Sequence, residues 1–312
     1  MSSGFLFLGI QTIWAKYPEK QITVIMCWAA GGSVDLSFRP LATAASRILG
    51  QQLAIEIRPG ASGGVGMGVL KTRKPDGYHL GVTSISTLIH QNMNKVTYDL
   101  LKDFAPILQF ADAPYGLAVL TDAPWKTFKD FMDYAKSNPG KIRFSSSGPG
   151  DPGGFLTMSS LGNRLSVHWN HIPFEGGPPA LAAILGGHVE AYAASLGVVK
   201  PQILAGRLRL LATFGEKRQA AFPNVPTLKE MGIPIVAPSF NGVFAPVGIT
   251  GEVQETLHQA FKKSMEDPDF MKALELTDKT SVYRGPQDAA AHFFEVDQEI
   301  KRVIREMKLR KG

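Results

Sequence analysis

Small and hydroxyl-bearing residues follow a predicted buried strand near the start of the chain. Residues 22–28 read ITVIMCW, a continuous apolar run typical of a strand in a parallel sheet, and the helical pattern that follows ends at Gly50. Between them lies AAGGS at 29–33, with Ser33 as a candidate N-cap and Asp35 in the first turn. Free N–H groups at a helix start bind anions, so the segment predicts either an anion site or a tight βα connection.

The same arrangement of strand, small polar loop and helix recurs twice. Hydroxyl groups cluster at 83–87, after the predicted strand 78–82. The loop SSSGPGDPGG at 145–154 follows the short strand 141–144 and leads into a helix from Phe155. Open α/β sheets bind ligands at the carboxyl ends of their strands. Hydroxyls at these positions therefore either contact a ligand or cap a helix.

Composition bounds the class of protein. A chain of 312 residues with 44% apolar and 19% charged residues can form two globular domains with real cores. The net charge of +6 favours acidic small ligands, but basic residues are not interleaved with aromatic ones, so nucleic-acid binding is not expected. Strands alternate with helices throughout, which predicts an α/β fold with largely parallel sheets.

The N-terminal segment has the character of an export signal. Residues 5–15 are largely apolar and precede the polar run KYPEK at 16–20. This resembles the back half of a signal peptide cleaved after Ala15, although the basic region that should precede it is missing. The alternative is a disordered or membrane-tethering tail.

Motifs for common catalytic chemistry are missing from the sequence. There is no Walker loop, no HExxH and no GxSxG elbow, and no carboxylate pair follows the predicted strands. Cys27 lies in an apolar strand and reads as a small buried hydrophobe, while His168 and His171 are three apart in a segment that is not helical. No catalytic residue, metal or cofactor is predicted. Hydroxyls, glycines and aromatics of this kind bind ligands, so the sequence favours a binding protein.

A series of short motifs resembles one family from about Tyr17 to about Arg305. In order they are YPEKQI at 17–22, AGGSVD at 30–35, RPGA at 58–61, PDGY at 75–78, DFAP at 103–106, HIPFEG at 171–176, GGHV at 186–189, PNVPT at 223–227 and FAP at 244–246. Their order and spacing resemble the Bug-type receptors, the extracytoplasmic solute-binding proteins of tripartite tricarboxylate transporters.

The resemblance implies an α/β fold of the periplasmic-binding-protein type II kind, a Venus flytrap with two α/β lobes around a ligand cleft. Residues 1–16 would be a partial signal segment, 17–118 with 240–312 the first lobe, and 119–239 the second. The ligand-binding residues that it implies are Trp28, Ala30, Gly31, Ser33, Ser84, Ser86, Thr87, Ser145, Ser146, Gly148, Phe174, Gly176, Gly177, Ser195 and Phe240.

The resemblance also implies a role and partners. The protein would be a periplasmic, exported bacterial receptor, expected as a monomer, that binds a small organic acid and presents it to membrane transporter subunits. A ligand sensor that docks on a membrane histidine kinase is the alternative, and an enzyme on a doubly wound sheet is disfavoured. The family often places an acidic residue near Ala194. Its lack here favours a plain carboxylate or a more apolar compound over an amino acid.

Overall fold

The strands form two separate sheets in the computed structural model, which describes residues 17–147, 152–174, 177–237 and 239–306. The order in the first sheet is β11-β4-β10-β3-β1-β2, and in the second it is β7-β6-β8-β5-β9. The strands are β1 (Ile22–Met26), β2 (Leu53–Ile57), β3 (His79–Ser84), β4 (Phe104–Asp112), β5 (Tyr115–Leu120), β6 (Arg143–Ser146), β7 (Asn170–Pro173), β8 (Ala191–Ser195), β9 (Leu208–Thr213), β10 (Asn241–Pro246) and β11 (Thr280–Arg284). The predicted two-lobed α/β architecture is confirmed.

Helices pack on both sheets. They are α1 (Ser33–Leu49), α2 (Gly64–Lys71), α3 (Ile85–Met93), α4 (Phe128–Ser137), α5 (Thr157–Leu165), α6 (Gly177–Leu185), α7 (Leu196–Leu204), α8 (Gly251–Ser264), α9 (Pro268–Leu276) and α10 (Pro286–Glu306), with a 3-10 turn at Ala61–Gly63 and a π-helical turn at Pro152–Leu156. In α1 the apolar residues Phe38, Leu41 and Ala45 are fully buried, and Gly50 ends the helix with a left-handed φ of 68°. None of the helices within the described ranges is both long and apolar enough to cross a membrane.

The prediction of largely parallel sheets is wrong. β1 pairs in parallel with β2 and β3, and β6 does so with β7 and β8. β10 and β5, in contrast, run antiparallel to both of their neighbours. Each of these two strands comes directly after the chain has crossed from the other sheet. Each strand therefore joins its sheet without the helical crossover that connects parallel strands.

The chain crosses between the sheets twice. β4 in the first sheet ends at Asp112 and β5 in the second begins at Tyr115, so the proposed lobe boundary at 118/119 falls inside a strand of the second sheet. The return crossing lies between β9 and β10. The hydroxyl of Ser239 on that crossing accepts a hydrogen bond of 2.8 Å from the backbone N–H of Ala113. This bond ties the two crossing segments together.

One apolar core is shared between the two sheets. It contains Leu117 and Phe144 from the second sheet together with Phe244 and Phe293 of β10 and α10. Two further clusters fill the opposite faces, one between the first sheet and helices α1, α8 and α9, the other between the second sheet and α6 and α7. The shared core therefore joins the two sheets, and it reaches the strand ends through Cys27, Ile85 and Phe240.

The π-helical turn is fitted to an aromatic ring. A Cβ atom on Gly153 would lie 1.8 Å from Cγ of Tyr115, so only glycine fits against that ring.

We expect Gly153→Ala to lower the free energy of unfolding by about 1–3 kcal/mol, the usual cost of overpacking. Gly251, the first residue of α8, has no atom within 4 Å of its Cβ position, so Gly251→Ala is the matched control and is expected to be nearly neutral. Urea denaturation measures both, and equal stability of the two variants would contradict the packing described.

Candidate functional site

The carboxyl ends of β1 and β3 lie side by side at one edge of the first sheet. Met26 is opposite Val82, and the N–H of Cys27 donates to the Val82 carbonyl at 3.2 Å. β10 begins at the same edge, where Asn241 is opposite Ser84. The structure thus brings the segment after β1, including Trp28, to the segments that hold Ser84 and Phe240.

The turn between β1 and α1 presents backbone to the exterior. Ala30, Gly31 and Ser33 are exposed, and Gly31 has the left-handed φ of 75° that favours glycine. Gly32, not the predicted Ser33, is the N-cap of α1, and no side chain caps this helix start. Its first-turn N–H groups therefore lack the side-chain acceptor that a serine N-cap would supply.

The carboxylate of Asp35 lies against this turn and is paired with Arg39. Its Oδ2 accepts a hydrogen bond of 2.8 Å from the Gly31 N–H and one of 2.9 Å from Nε of Arg39. The carboxylate is buried, with only 2% of its side chain exposed, and is bound by these two donors. The carboxylate therefore stabilises the shape of the turn, and its charge is balanced by Arg39.

The predicted hydroxyl cluster after β3 divides into two groups. Ser84 is the N-cap of α3 but makes no side-chain cap bond, and Ser86 is partly exposed. Thr87 is fully buried, and its hydroxyl donates to the Ser62 carbonyl at 2.6 Å and also contacts the hydroxyl of Thr83. The structure therefore leaves Ser84 and Ser86 near the edge, whereas the Thr87 side chain holds the loop that carries Ser62.

The second sheet has an equivalent edge, formed by the ends of β6, β7 and β8. Ser146 is opposite Pro173, the N–H of Phe174 donates to the Ser146 carbonyl at 3.2 Å, and Ser195 ends β8 opposite Tyr115. Phe174, Ser146 and Ser195 are thus brought to one edge. Of the other predicted residues here, Gly177 begins α6, and Gly148 and Gly176 lie outside the described residues.

The serines at the end of β6 are internal. Ser145 is fully buried, with its hydroxyl 3.4 Å from the Ala180 carbonyl. Ser146 is also fully buried, and its hydroxyl lies 2.8 Å from Nε2 of His171. The next residue, Ser147, is partly exposed and its hydroxyl contacts that of Tyr192 at 3.3 Å. At the end of β6, Ser147 is therefore the serine with a partly exposed side chain, whereas the hydroxyls of Ser145 and Ser146 are buried.

His171 supports this strand end. Its ring lies between those of Phe144 and Phe155, with centroids 4.8 Å and 4.4 Å away, and burial lowers its pKa to about 4. A neutral imidazole can accept a hydrogen bond from the Ser146 hydroxyl. His171 is therefore a structural partner of Ser146. Its aromatic surroundings do not favour a metal site formed with His168.

Helix starts accompany these strand ends in the second sheet as well. α7 begins at Leu196 with Ser195 as N-cap and no side-chain cap bond, and α6 begins at Gly177. A Cβ on Gly177 would come within 3.0 Å of Val198, so glycine allows these two helix starts to approach each other. Pro178 and Pro179 leave the first turn of α6 with few N–H groups, and the Leu196 N–H of α7 donates to the Pro114 carbonyl at 2.9 Å. The amides that follow Leu196 in the first turn of α7 are therefore the ones here that can bind a carboxylate without a formal positive charge.

The two edges face each other, as contacts between the sheets show. Helix α3, at the edge of the first sheet, packs against the π-helical turn that precedes α5. On the other side Lys200 of α7 forms an ion pair with Asp278, which lies just before β11. Uncapped helix starts from both sheets therefore lie along the gap between these two contacts.

Lys279 is a residue near this gap that the sequence did not reveal. Its Nζ donates to the Ser33 carbonyl at 3.0 Å, to the Ser37 hydroxyl at 3.1 Å and to Oδ1 of Asn241 at 3.0 Å. Burial lowers its pKa to about 7. No local motif marks this lysine, since its partners lie 38 to 246 residues away in the chain.

The described residues also form a cavity of about 860 Å³ between α5, residues 234–236 and α10. Thr157, Arg164 and Glu299 are among its lining residues, and none of the predicted ligand-binding residues is. The convergence of helix starts, and not the size of this cavity, identifies the candidate site.

Other groups offer little for catalysis. Burial raises the pKa of Cys27 to about 12, so the thiol stays protonated and is a poor nucleophile. Over the described ranges, no three His, Cys, Asp or Glu side chains are grouped so that they could hold a metal ion. The chemistry that the site can perform is hydrogen bonding through backbone amides, hydroxyls and one lysine.

Relatives of known sequence and structure agree with this geometry. A UPF0065 protein from the gbd 5' region of Cupriavidus necator is 38% identical, covering 99% of this chain and 94% of that protein. A TctC solute-binding protein from Polaromonas is similar with a TM-score of 0.85 and 30% identity, over 93% of this chain and 99% of that one.

Two similar structures contain carboxylates. One is an R. palustris protein with adipate, with a TM-score of 0.75 and 25% identity over 93% of this chain and 97% of that one. The other is MatC from Rhodopseudomonas palustris with bound malate, with a TM-score of 0.70 and 26% identity over 92% of this chain and 98% of that one.

The family model described as the tripartite tricarboxylate transporter family receptor matches residues 37–309. This span includes every strand except β1 and every strand end of the candidate site except that of β1. The chain is a member of the TctC family of solute-binding receptors.

Proposed function

We propose that the protein captures a small organic acid between its two sheet edges and delivers it to the membrane subunits of a tripartite tricarboxylate transporter. The observation that carries this proposal is the convergence of uncapped helix starts at α1, α3 and α7 on one gap. Backbone amides in such an arrangement bind carboxylates, and closure of the lobes would surround the ligand.

The ligand class follows from the family and from this arrangement. Two similar structures are described with adipate and malate, which are both dicarboxylates. A site with helix starts at both edges can bind one carboxylate at each. We therefore propose a dicarboxylate of this size as the ligand, and not an amino acid, since residues 191–196 contain no acidic side chain to bind an amine.

The remaining roles extend this proposal. We propose that the chain is exported to the periplasm, acts as a monomer and works without catalysis or a cofactor. Delivery to a transporter is favoured over presentation to a sensor kinase because the matching family is that of transporter receptors.

Ligand binding is tested by titration calorimetry and thermal shift with adipate and malate. We expect both the saturable heat of binding and a higher unfolding temperature with at least one of them, because a ligand of the native state stabilises it. The uncharged diamide of adipic acid is the control and should do neither. Equal binding of diamide and dicarboxylate would contradict recognition of the carboxylate charge.

The turn before α1 is tested by a bulky substitution at Ser33. Ser33→Leu should weaken dicarboxylate binding by about tenfold or more, the cost of losing a hydrogen bond to a charged group, with little change in stability because the residue is exposed. Ser137→Leu, at the exposed end of α4, is the control and should bind normally. Unchanged affinity in Ser33→Leu would remove the α1 turn from the site. Ser146 is less suitable for this test, since its side chain is fully buried.

The neutral state of His171 predicts a pH dependence of stability. The pKa of His171 is about 4 in the folded protein, and the ordinary value of about 6.5 applies in the unfolded chain, so unfolding takes up a proton between these values. Stability should therefore decrease as the pH falls from about 6.5 towards 4. Urea midpoints at pH 7.5 and 5.0 should differ less in His171→Phe than in the wild type, whereas the exposed-site control His188→Gln should keep the wild-type difference. An equal difference in His171→Phe would refute this assignment.

A further inference from the structure

We propose that Lys279 supplies the positive charge that selects an anionic solute at the first turn of α1. This inference rests on the proposed function and names a specificity-determining residue for it. Lys279 precedes β11, and its ammonium reaches across to the carbonyl of Ser33, the residue that opens α1. An anion bound to the first turn of α1 would therefore lie close to this ammonium.

The hydrogen bonds of Lys279 place the ammonium but do not balance its charge. Its three donors meet three neutral oxygens, those of Ser33, Ser37 and Asn241. The nearby carboxylates are bound elsewhere, Asp35 by Arg39 and Asp278 by Lys200. In the part of the chain that the structure describes, no carboxylate lies within ion-pair distance of Lys279. A partly buried charge without a counter-ion is costly, and an anionic ligand would remove that cost.

Burial also gives the charge a pH dependence. The pKa of Lys279 is lowered to about 7, so the free receptor loses part of this charge as the pH rises through 7. A carboxylate bound nearby favours the protonated form and raises that pKa. Binding should therefore take up protons near pH 7.5. Affinity should fall by about tenfold from pH 6.5 to 8.5, while aliphatic carboxylates stay ionised over this range.

Other titratable groups near Lys279 must be separated from it. Asp35 and Arg39 on α1 form one ion pair, and Asp278 with Lys200 of α7 forms another. Asp112 on β4 lies opposite Thr280, and burial raises its pKa to about 7 as well. Asp112 is hydrogen-bonded to Gln109 and has Arg284 as its charged neighbour. It is thus the group in this region that could imitate the pH dependence of Lys279.

The experiment is titration calorimetry of adipate and malate with wild-type protein and Lys279→Gln at pH 6.5 and 8.5. We expect Lys279→Gln to bind about tenfold more weakly at pH 6.5 and to show the same affinity at both pH values. Lys272→Gln, an exposed lysine of α9, controls for net charge, and Asp112→Asn controls for the other group that titrates near pH 7. Both controls should keep the wild-type pH dependence.

A second measurement needs no variant. Wild-type titrations at pH 7.5 in buffers of different ionisation enthalpy give the number of protons taken up on binding, which should be a measurable fraction of one. If wild type binds dicarboxylate without proton uptake, or if Lys279→Gln binds as tightly as wild type, the role of Lys279 is overturned while the proposed function stands. If wild type binds neither dicarboxylate, the proposed function fails first and this inference with it.

Discussion

Parallel strand pairing is the constraint on which the site depends. β1 beside β3, and β6 beside β8, must end at the same edges because the strands run in the same direction. The chain leaves β3 and β8 directly into α3 and α7, and it leaves β1 through residues 27–32 into α1. The first N–H groups of α3 and α7 donate to the carbonyls of Phe240 and Pro114, and none of the three helix starts has a side-chain cap bond for the N–H groups that follow. Neither sheet alone could enclose a ligand. The contacts of α3 with the π-helical turn and of Lys200 with Asp278 set the two edges opposite each other.

Several polar side chains near these edges stabilise loops instead of facing outward. Thr87 holds the Ser62 carbonyl, Ser146 is bound by His171, and the carboxylate of Asp35 holds the N–H of Gly31. This internal bonding fixes the backbone, and a fixed backbone presents its N–H groups in a constant direction. Preorganised amides of this kind bind an anion without losing conformational freedom. Selection by charge then needs only one cation, and Lys279 lies where that cation is required.

Features that depend only on neighbouring residues could be predicted from the sequence. The apolar run before AAGGS and the helical spacing of Phe38, Leu41 and Ala45 predicted β1 and α1 correctly, because both depend on neighbouring residues. The sequence pattern does not predict β4, because Pro106 interrupts it. The structure tolerates this proline because the pairing of β4 with β10 shifts register between Val243 and Phe244, beside Pro106.

Features that depend on distant contacts could not be predicted. The antiparallel direction of β5 and β10 follows from chain crossings, and the expected lobe boundary at 118/119 falls within β5 of the second sheet. The inward orientation of Ser145, Ser146 and Thr87 depends on partners elsewhere in the fold. Lys279 has no sequence signature, since Ser33 and Ser37 are more than 240 residues away.

The central claim is that a carboxylate binds between the two sheet edges at the starts of their helices. A crystal structure of the protein grown with adipate tests it most directly. The account predicts density in the gap, with a carboxylate oxygen accepting hydrogen bonds from backbone N–H groups at the start of α1 or α3 and the other end of the ligand at the edge of the second sheet. Adipate bound instead in the cavity beside Thr157 and Arg164, with the gap between the edges holding only solvent, would contradict it.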